Sequence, residues 1–421
     1  MKSIRNVGKH FPRISTLLNN SLDFAWAITH NYLYPGKSKD RLIILDDIFP
    51  SLLAAFRITE YNAYLETFES AEVHSTGSAF FLARETRSFP QVVAEYERYY
   101  PQFKKRVFKF NRWRNLQSRL MYTVFLNNAF YFADMIEKYN VPFVFTLYPG
   151  GGFQLGIEES DRKLCRVCSL PNLKKIIVTQ KVSRDYLLEG KFCDSDKVKF
   201  IYGGVHPLDR LTKNMVPKKY YKQDKNTFDI CFVANKYMER GIDKGYDVFI
   251  EVAKSLSKMH KDMFFHIVGP FNPSDIDITA LGDKIRFYGI RNTDFFTEFY
   301  SYMDIILSPN APFVRRPGSF DGFPTGACIE AGLCGVAVFC ADILGQNIAF
   351  NNGEEIVIIS RDIQDICKAV DEYYDSLDSL YKLAQKGQEA FKKVYDIKAQ
   401  MTPRVQILSD RIPIEFVKRS R

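Results

Sequence analysis

No stretch of this 421-residue sequence reaches the ~20 consecutive apolar residues that a membrane-spanning helix requires. The first residues, MKSIRNVGKHFPR, pass directly into polar sequence without the apolar core of a secretory signal. From these two absences we expect a cytoplasmic protein, and we expect any contact with the membrane to be peripheral and at its inner face.

Cysteine is sparse, with eight residues scattered along the chain. Several, including Cys231, Cys328 and Cys340, lie in apolar runs, where a free thiol behaves as a small buried hydrophobic group. Cys165 and Cys168 have the CxxC spacing, but neither a second pair nor suitably spaced histidines follow. We therefore expect neither structural disulfides nor a bound metal.

Acidic residues are the minority, 49 against 58 lysines and arginines, so the net charge is +9. The densest groups of basic residues are three separate segments, 106–114, 216–226 and 414–421, and not one continuous stripe. We therefore expect no nucleic-acid partner. Segment 95–113 is both aromatic and basic, which suits an acceptor or membrane-surface patch, but we favour a pair of helices that cover the N-terminal half.

Short apolar runs alternate with segments of helical periodicity in both halves of the chain, which is typical of parallel sheets covered by helices on both faces. The strands predicted in the first half are 41–50, 71–77, 141–149, 174–180 and 197–204. Those predicted in the second half are 228–234, 263–269, 284–290, 304–309, 336–342 and 355–360.

The pattern lapses into a polar, lysine-rich stretch around residues 206–226, which we interpret as a linker. We predict an N-terminal Rossmann-like domain over 1–205 and a second over 227–395. The remainder, 396–421, is predicted to be a helical tail that is broken at Pro403 and crosses back to the first domain. The carboxyl ends of two such sheets face a common cleft, where α/β proteins bind ligands.

The segment 317–342, PGSFDGFPTGACIEAGLCGVAVFCAD, carries the clearest chemistry. It follows a predicted strand, passes through glycines and prolines, and enters a helix near Thr325. Glycines and free amides at a helix start form an anion site that suits a diphosphate, and Thr325 can cap that helix or bond a phosphate oxygen. The carboxylate of Glu330 can accept hydrogen bonds from vicinal hydroxyls, and Asp321 precedes the helix.

Asp321-Gly322-Phe323-Pro324, followed by Glu330-Ala331, resembles the signature of the retaining glycosyltransferase family 4 (group 1), which has the GT-B fold. Seven residues separate the two acids in the family and eight separate them here. The resemblance implies that Glu330 holds the donor ribose and that Asp321 reads sugar hydroxyls. The residues implied to meet the diphosphate and sugar are Gly322, Phe323, Pro324, Thr325 and Gly326.

Two further segments carry the same resemblance. The family supplies an Arg and a Lys to the donor diphosphate from the loop after the first strand of the second domain, and Lys244-Gly245 matches its Lys-Gly, with Lys236 and Arg240 nearby. Two cations there can neutralise a leaving diphosphate without a metal.

In the first domain, VPFVFTLYPGGG resembles the family strand that ends in Thr-x-His-Gly and faces the donor sugar. Tyr148 stands where the family commonly has histidine. Gly150, Gly151 and Gly152 can bring backbone amides close to a ligand, or they form only a turn.

The resemblance implies retaining transfer of a sugar from a nucleoside diphosphate sugar to a hydroxyl of a glycan or lipid-linked acceptor, with no cofactor. Lys244, Asp321 and Glu330 are the predicted catalytic set. Two alternatives remain open: a GT-B sugar-nucleotide epimerase, and an inactive glycan-binding relative. The oligomeric state has no signature in the sequence.

Overall fold

The computed structural model describes residues 21, 23–29 and 40–412, apart from 84, 113–115, 209–210 and 212–215. These residues form two parallel sheets covered by helices, so the prediction of two doubly wound α/β domains is confirmed. Within the described part of the chain, no helix combines the length and apolarity needed to cross a membrane.

The first sheet has seven strands in the order β3-β2-β1-β4-β5-β6-β7. The strands are β1 (Leu42–Asp46), β2 (Glu72–Ser75), β3 (Val107–Lys109), β4 (Leu120–Val124), β5 (Phe143–Leu147), β6 (Leu173–Val178) and β7 (Val198–Phe200). The helices are α1 (Ala55–Thr67), α2 (Phe89–Tyr99), α3 (Leu126–Tyr139), α4 (Glu158–Cys168) and α5 (Lys181–Glu189).

Strands β3 and β4 were missed by the sequence prediction. Strand β3 lies in segment 95–113, which is one helix, a 3-10 turn and a strand, so the predicted helix pair is wrong. Arg106 precedes β3 and Lys109 is its last residue, yet Val107 and Phe108 are buried, because β3 pairs with β2 along the sheet edge. Much of the apolar side of this segment therefore belongs to the core.

The second sheet has six strands in the order β10-β9-β8-β11-β12-β13, and all six were predicted. The strands are β8 (Phe228–Val233), β9 (Met263–Val268), β10 (Ile285–Phe287), β11 (Ile305–Ser308), β12 (Ala337–Ala341) and β13 (Val357–Ile359). The helices that follow β8, β10, β11 and β13 are α6 (Tyr246–Met259), α7 (Thr293–Ser301), α8 (Gly326–Leu333), α9 (Ile363–Asp375) and α10 (Leu377–Tyr395).

The last described helix, α11 (Ile397–Ser409), lies against α1 of the first domain. Its Met401 and Leu408 are part of the first domain's core. The break in the chain falls before α11, at Asp396, whose carboxylate caps the helix by accepting from the amides of Lys398 and Ala399 at 2.9 Å. Pro403 lies inside the continuous helix, so the predicted break there is wrong; packing of α11 on the core compensates for the one lost backbone hydrogen bond.

Candidate functional site

The loop between β11 and α8, residues 309–325, leaves the carboxyl end of a central strand, where parallel sheets bind their ligands. Helix α8 begins at Gly326, and Thr325 is its N-cap residue with extended backbone. The Thr325 side chain makes no capping hydrogen bond, so the predicted side-chain cap is not formed. The first amides of α8 have no partner within the helix, as at any helix start, and such an end favours negatively charged groups.

Lys244 reaches this loop from the segment after β8. Its Nζ is 2.7 Å and 2.6 Å from the two carboxylate oxygens of Asp321. Gly245 makes the approach feasible: its φ is 74°, and a side chain there would overlap the carbonyl of Pro309 at the end of β11. Asn310 also lies near the carboxylate, with its Nδ2 3.4 Å from Asp321 Oδ2. Two residues predicted independently are thus in direct contact.

The other two predicted cations are placed differently. Lys236 forms an ion pair with Asp275, with Nζ 2.8 Å from both carboxylate oxygens, so its acidic partner lies outside the loop before α8. Arg240 is exposed and has a left-handed φ of 57°. Lys244 is therefore the predicted cation with direct contact to the loop before α8.

Glu330 lies on α8, one turn after Gly326, and is half-buried. Burial and the Glu330 charge raise the pKa of Tyr300, which places that tyrosine near the carboxylate. The same helix start is bordered by His206, which was not among the predicted site residues: a Cβ on Gly326 would lie 3.7 Å from its Cε1. Burial lowers the pKa of His206 from 6.5 to about 4, so the ring is neutral at neutral pH.

The three glycines after β5 form a tight turn in which every φ is positive, at 79°, 53° and 92° for Gly150, Gly151 and Gly152. A side chain at Gly151 would overlap Phe125, and one at Gly152 would overlap Asn127. Of the three positions, only Gly150 could carry a Cβ with no other atom within 4 Å. The sequence requirement for glycine at two of the three positions is therefore explained by packing within the first domain.

Tyr148 is buried, and its hydroxyl donates to Glu60 Oε2 at 2.9 Å. Glu60 is fully buried in α1 and also accepts from the hydroxyls of Tyr122 and Tyr64. Arg404 of α11 is fully buried beside the same group. Burial and the Glu60 charge raise the pKa of Tyr148, so the phenol stays a neutral donor. Its hydroxyl is thus engaged inside the first domain.

The loop before α8 also touches the first domain directly. The amide of Leu155 donates to the carbonyl of Gly318 at 2.9 Å, and the Phe320 ring packs edge-on against Phe153 with centroids 5.7 Å apart. Phe320 is buried within the first domain's core although it belongs to the second half of the chain. The two domains therefore meet at the loop that carries Asp321.

No group of three or more His, Cys, Asp or Glu residues in the described ranges is arranged to hold a metal ion. Cys165 and Cys168 of the CxxC segment lie at the end of α4, the first exposed and the second buried.

Most of the second domain matches a known protein family. Residues 221–390 match the family model described as glycosyl transferases group 1. This range contains Lys244, Asp321, Glu330 and all of α8. The match supports a group 1 glycosyltransferase. No protein of curated function matches the sequence.

Solved structures show the same two-domain fold over nearly the whole chain. HepE from Anabaena, solved with UDP-glucose, has 14% identity and a TM-score of 0.64, and the alignment covers 88% of this chain and 99% of HepE. Sucrose-phosphate synthase from Thermosynechococcus elongatus has 14% identity, a TM-score of 0.59 and coverages of 88% and 98%. A glycosyltransferase from Rickettsia africae has 16% identity, a TM-score of 0.55 and coverages of 90% and 100%. The fold is therefore GT-B, as predicted.

Proposed function

We propose that this chain is a retaining, metal-independent glycosyltransferase that moves a sugar from a nucleoside diphosphate sugar to a hydroxyl of a glycan or lipid-linked acceptor. The observation that carries the proposal is the ion pair of Lys244 with Asp321 in the loop that leads from the carboxyl end of the second sheet into α8, inside the range that matches the family. A cation, a carboxylate and a helix start are groups that can bind a nucleotide sugar.

The donor diphosphate would lie at the amides of α8, beside Gly326. Negative charge on the leaving oxygen is favoured there, because the helix start and Lys244 both present positive charge to it. A diphosphate that enters this site shares Lys244 with Asp321, whose carboxylate is then available to sugar hydroxyls. Glu330, one turn along α8, is the proposed partner of the ribose hydroxyls.

Retention would follow from a reaction on one face of the sugar. The bond between the anomeric carbon and the diphosphate oxygen breaks, the acceptor oxygen bonds to the same face, and the leaving oxygen takes the acceptor proton. Closing the cleft around these atoms excludes water, which would otherwise compete as the acceptor. In this proposal no metal is needed, because Lys244 and the helix amides stabilise the negative charge of the leaving diphosphate.

We propose that the two domains bind different substrates. Residues 227–395 would bind the donor and 1–205 the acceptor. Segment 206–226 would link the domains, and 396–421 would return to the first. Tyr148 and the glycine turn at 150–152 stay predicted contacts of the donor sugar. A peripheral position at the cytoplasmic face of a membrane would suit a lipid-linked acceptor.

UDP sugars are the first donors to test, because the HepE structures are described with UDP, UDP-glucose, or UDP and glucose. The experiment incubates the protein with UDP-, GDP-, dTDP- and ADP-sugars, with and without EDTA, and measures nucleoside diphosphate release while NMR follows the anomeric configuration.

Release of one nucleoside diphosphate, unaffected by EDTA and with a retained product, is the expected result. A converted sugar on an intact nucleotide would instead indicate an epimerase. Binding without turnover of any donor would indicate an inactive relative, and loss of turnover that added metal reverses would contradict the metal-independent site.

A further inference from the structure

The backbone N–H and carbonyl of Phe323 bond to side chains of the first domain. Gln180 Oε1 accepts from the amide of Phe323 at 3.2 Å, and Gln180 Nε2 donates to the carbonyl of the same residue at 3.4 Å. The hydroxyl of Tyr202 donates to that carbonyl at 2.9 Å. Both polar backbone groups of one residue in the loop before α8 are thus satisfied from outside its own domain.

Gln180 is itself fixed in place. It is separated from β6 by Thr179 alone, is the N-cap residue of α5, and is 4% exposed. The ring of Phe323 is buried in the core of the second domain while its backbone bonds to the first. Phe323 therefore joins the two domains, because its ring packs in the second domain and its backbone bonds to the first.

The same contact explains why position 322 is a glycine. A Cβ at this position would lie 3.0 Å from Gln180 Nε2, closer than ordinary van der Waals contact. The neighbour would have to shift, and Gln180 has little freedom because it is buried. Gly322 thus permits the approach of Gln180 to the loop, one residue away from Asp321.

We propose that Gln180 is a positioning residue for the loop before α8. By bonding the backbone N–H and carbonyl of Phe323, it makes the geometry of Asp321 and of the start of α8 depend on contact between the two domains. The proposal rests on the proposed function. It implies that donor binding and domain closure are linked, because a loop arranged for the donor is also arranged for Gln180, and such linkage is reciprocal.

The test compares Gln180→Ala with Gln154→Ala. Both remove an amide of the first domain that bonds the same loop, but Gln154 is only half-buried and reaches Pro317, where the neighbouring backbone bond from Leu155 to Gly318 remains. For each variant, kcat and KM are measured with UDP-glucose or the donor found active, UDP affinity is measured by calorimetry, and the radius of gyration is measured by small-angle scattering with and without UDP.

For Gln180→Ala we expect kcat to fall about tenfold, because two buried hydrogen bonds are lost. UDP affinity should change by less than about threefold, and the compaction that UDP causes in the wild type should be reduced. Gln154→Ala should stay within about twofold of the wild type in kcat. A merely structural role would lower the melting temperature of Gln180→Ala and leave kcat and the UDP-dependent compaction unchanged.

Gln180→Glu provides a second variant if Gln180→Ala is unstable. Its carboxylate can still accept from the Phe323 amide but faces the Phe323 carbonyl without a donor, so kcat should fall at least as far. Wild-type kcat and compaction retained by a folded Gln180 variant would overturn the inference and leave the proposed function standing. Absence of turnover and of nucleotide binding in the wild type with all four classes of donor would instead overturn the proposed function.

Discussion

The two halves of the predicted donor site use their side chains differently. In the second domain, Lys244 and Asp321 are 77 residues apart in sequence and meet at 2.6 Å in the loop that leads into α8. In the first domain, Tyr148 belongs to the same predicted set, but its hydroxyl bonds Glu60 in the core. A strand end locates a loop, whereas the direction of a side chain on that loop depends on partners that are remote in sequence.

The largest effect is expected from removing Glu60. Glu60→Ala leaves three tyrosine hydroxyls and the buried Arg404 around a vacated carboxylate, and breaking such a buried group costs about 3–5 kcal/mol of unfolding free energy. Urea unfolding measures this, with Glu60→Gln as the variant of matched size and a smaller expected loss. A loss below about 1 kcal/mol for Glu60→Ala would mean that the cluster does not hold the first domain together.

Lys244→Ala should lower kcat by about 10²–10³, or about 2.7–4 kcal/mol, because it removes a preorganised charge at the leaving diphosphate. Its stability should hardly change, since partly exposed ion pairs contribute little. Lys236→Ala is the matched control, with a smaller loss of kcat, because Lys236 pairs with Asp275 and not with a residue of the loop before α8. Equal losses in steady-state assays of the two variants would remove the distinction between the cations.

Tyr148→Phe sharpens the comparison between the domains. It removes one buried hydrogen bond and should lower the unfolding free energy by about 1–2 kcal/mol while kcat stays within about threefold. Both quantities are measured on the same preparation. A hundredfold loss of kcat at unchanged stability would show that the hydroxyl serves the donor sugar and that the contact with Glu60 is incidental.

The smallest effect concerns His206. Its pKa is near 4 in the folded protein and 6.5 when unperturbed, so the unfolded chain binds more protons between these values. Its contribution to the unfolding free energy is therefore constant above about pH 6.5 and decreases as the pH falls toward 4. The ring is only half-buried, so solvent screening reduces the effect, and His206→Gln should remove about 1 kcal/mol of this pH dependence, as urea unfolding at several pH values would show. A difference between wild type and variant that stays flat from pH 4 to 7 would contradict the lowered pKa of His206.

The fold was largely predictable because the strands of both sheets are continuous apolar runs. Strand β3 was missed since it follows Arg106, ends at Lys109 and has only two buried residues, and β4 was missed within a short run next to polar residues. The break expected at Pro403 occurs instead at Asp396, because the packing of α11 on the first domain holds the helix through the proline.

For the candidate site, the segments with Lys244, Asp321 and Glu330 were recognisable from their motifs. Gln180 and His206 were not, because an isolated glutamine or histidine carries no motif and their importance comes from contacts with residues more than a hundred positions away. The ion pair of Lys236 with Asp275 was equally unpredictable, since it joins the loops after two different strands.

Titration of UDP into the wild type and Glu330→Ala tests the proposed donor site most directly. Losing a carboxylate that holds the ribose hydroxyls removes charge-assisted hydrogen bonds of about 1.5–3 kcal/mol each, so UDP affinity should fall at least about tenfold while the melting temperature shows a folded variant. If Glu330→Ala binds UDP as tightly as the wild type, the nucleotide does not lie along α8 and the donor site assigned to the second domain is wrong.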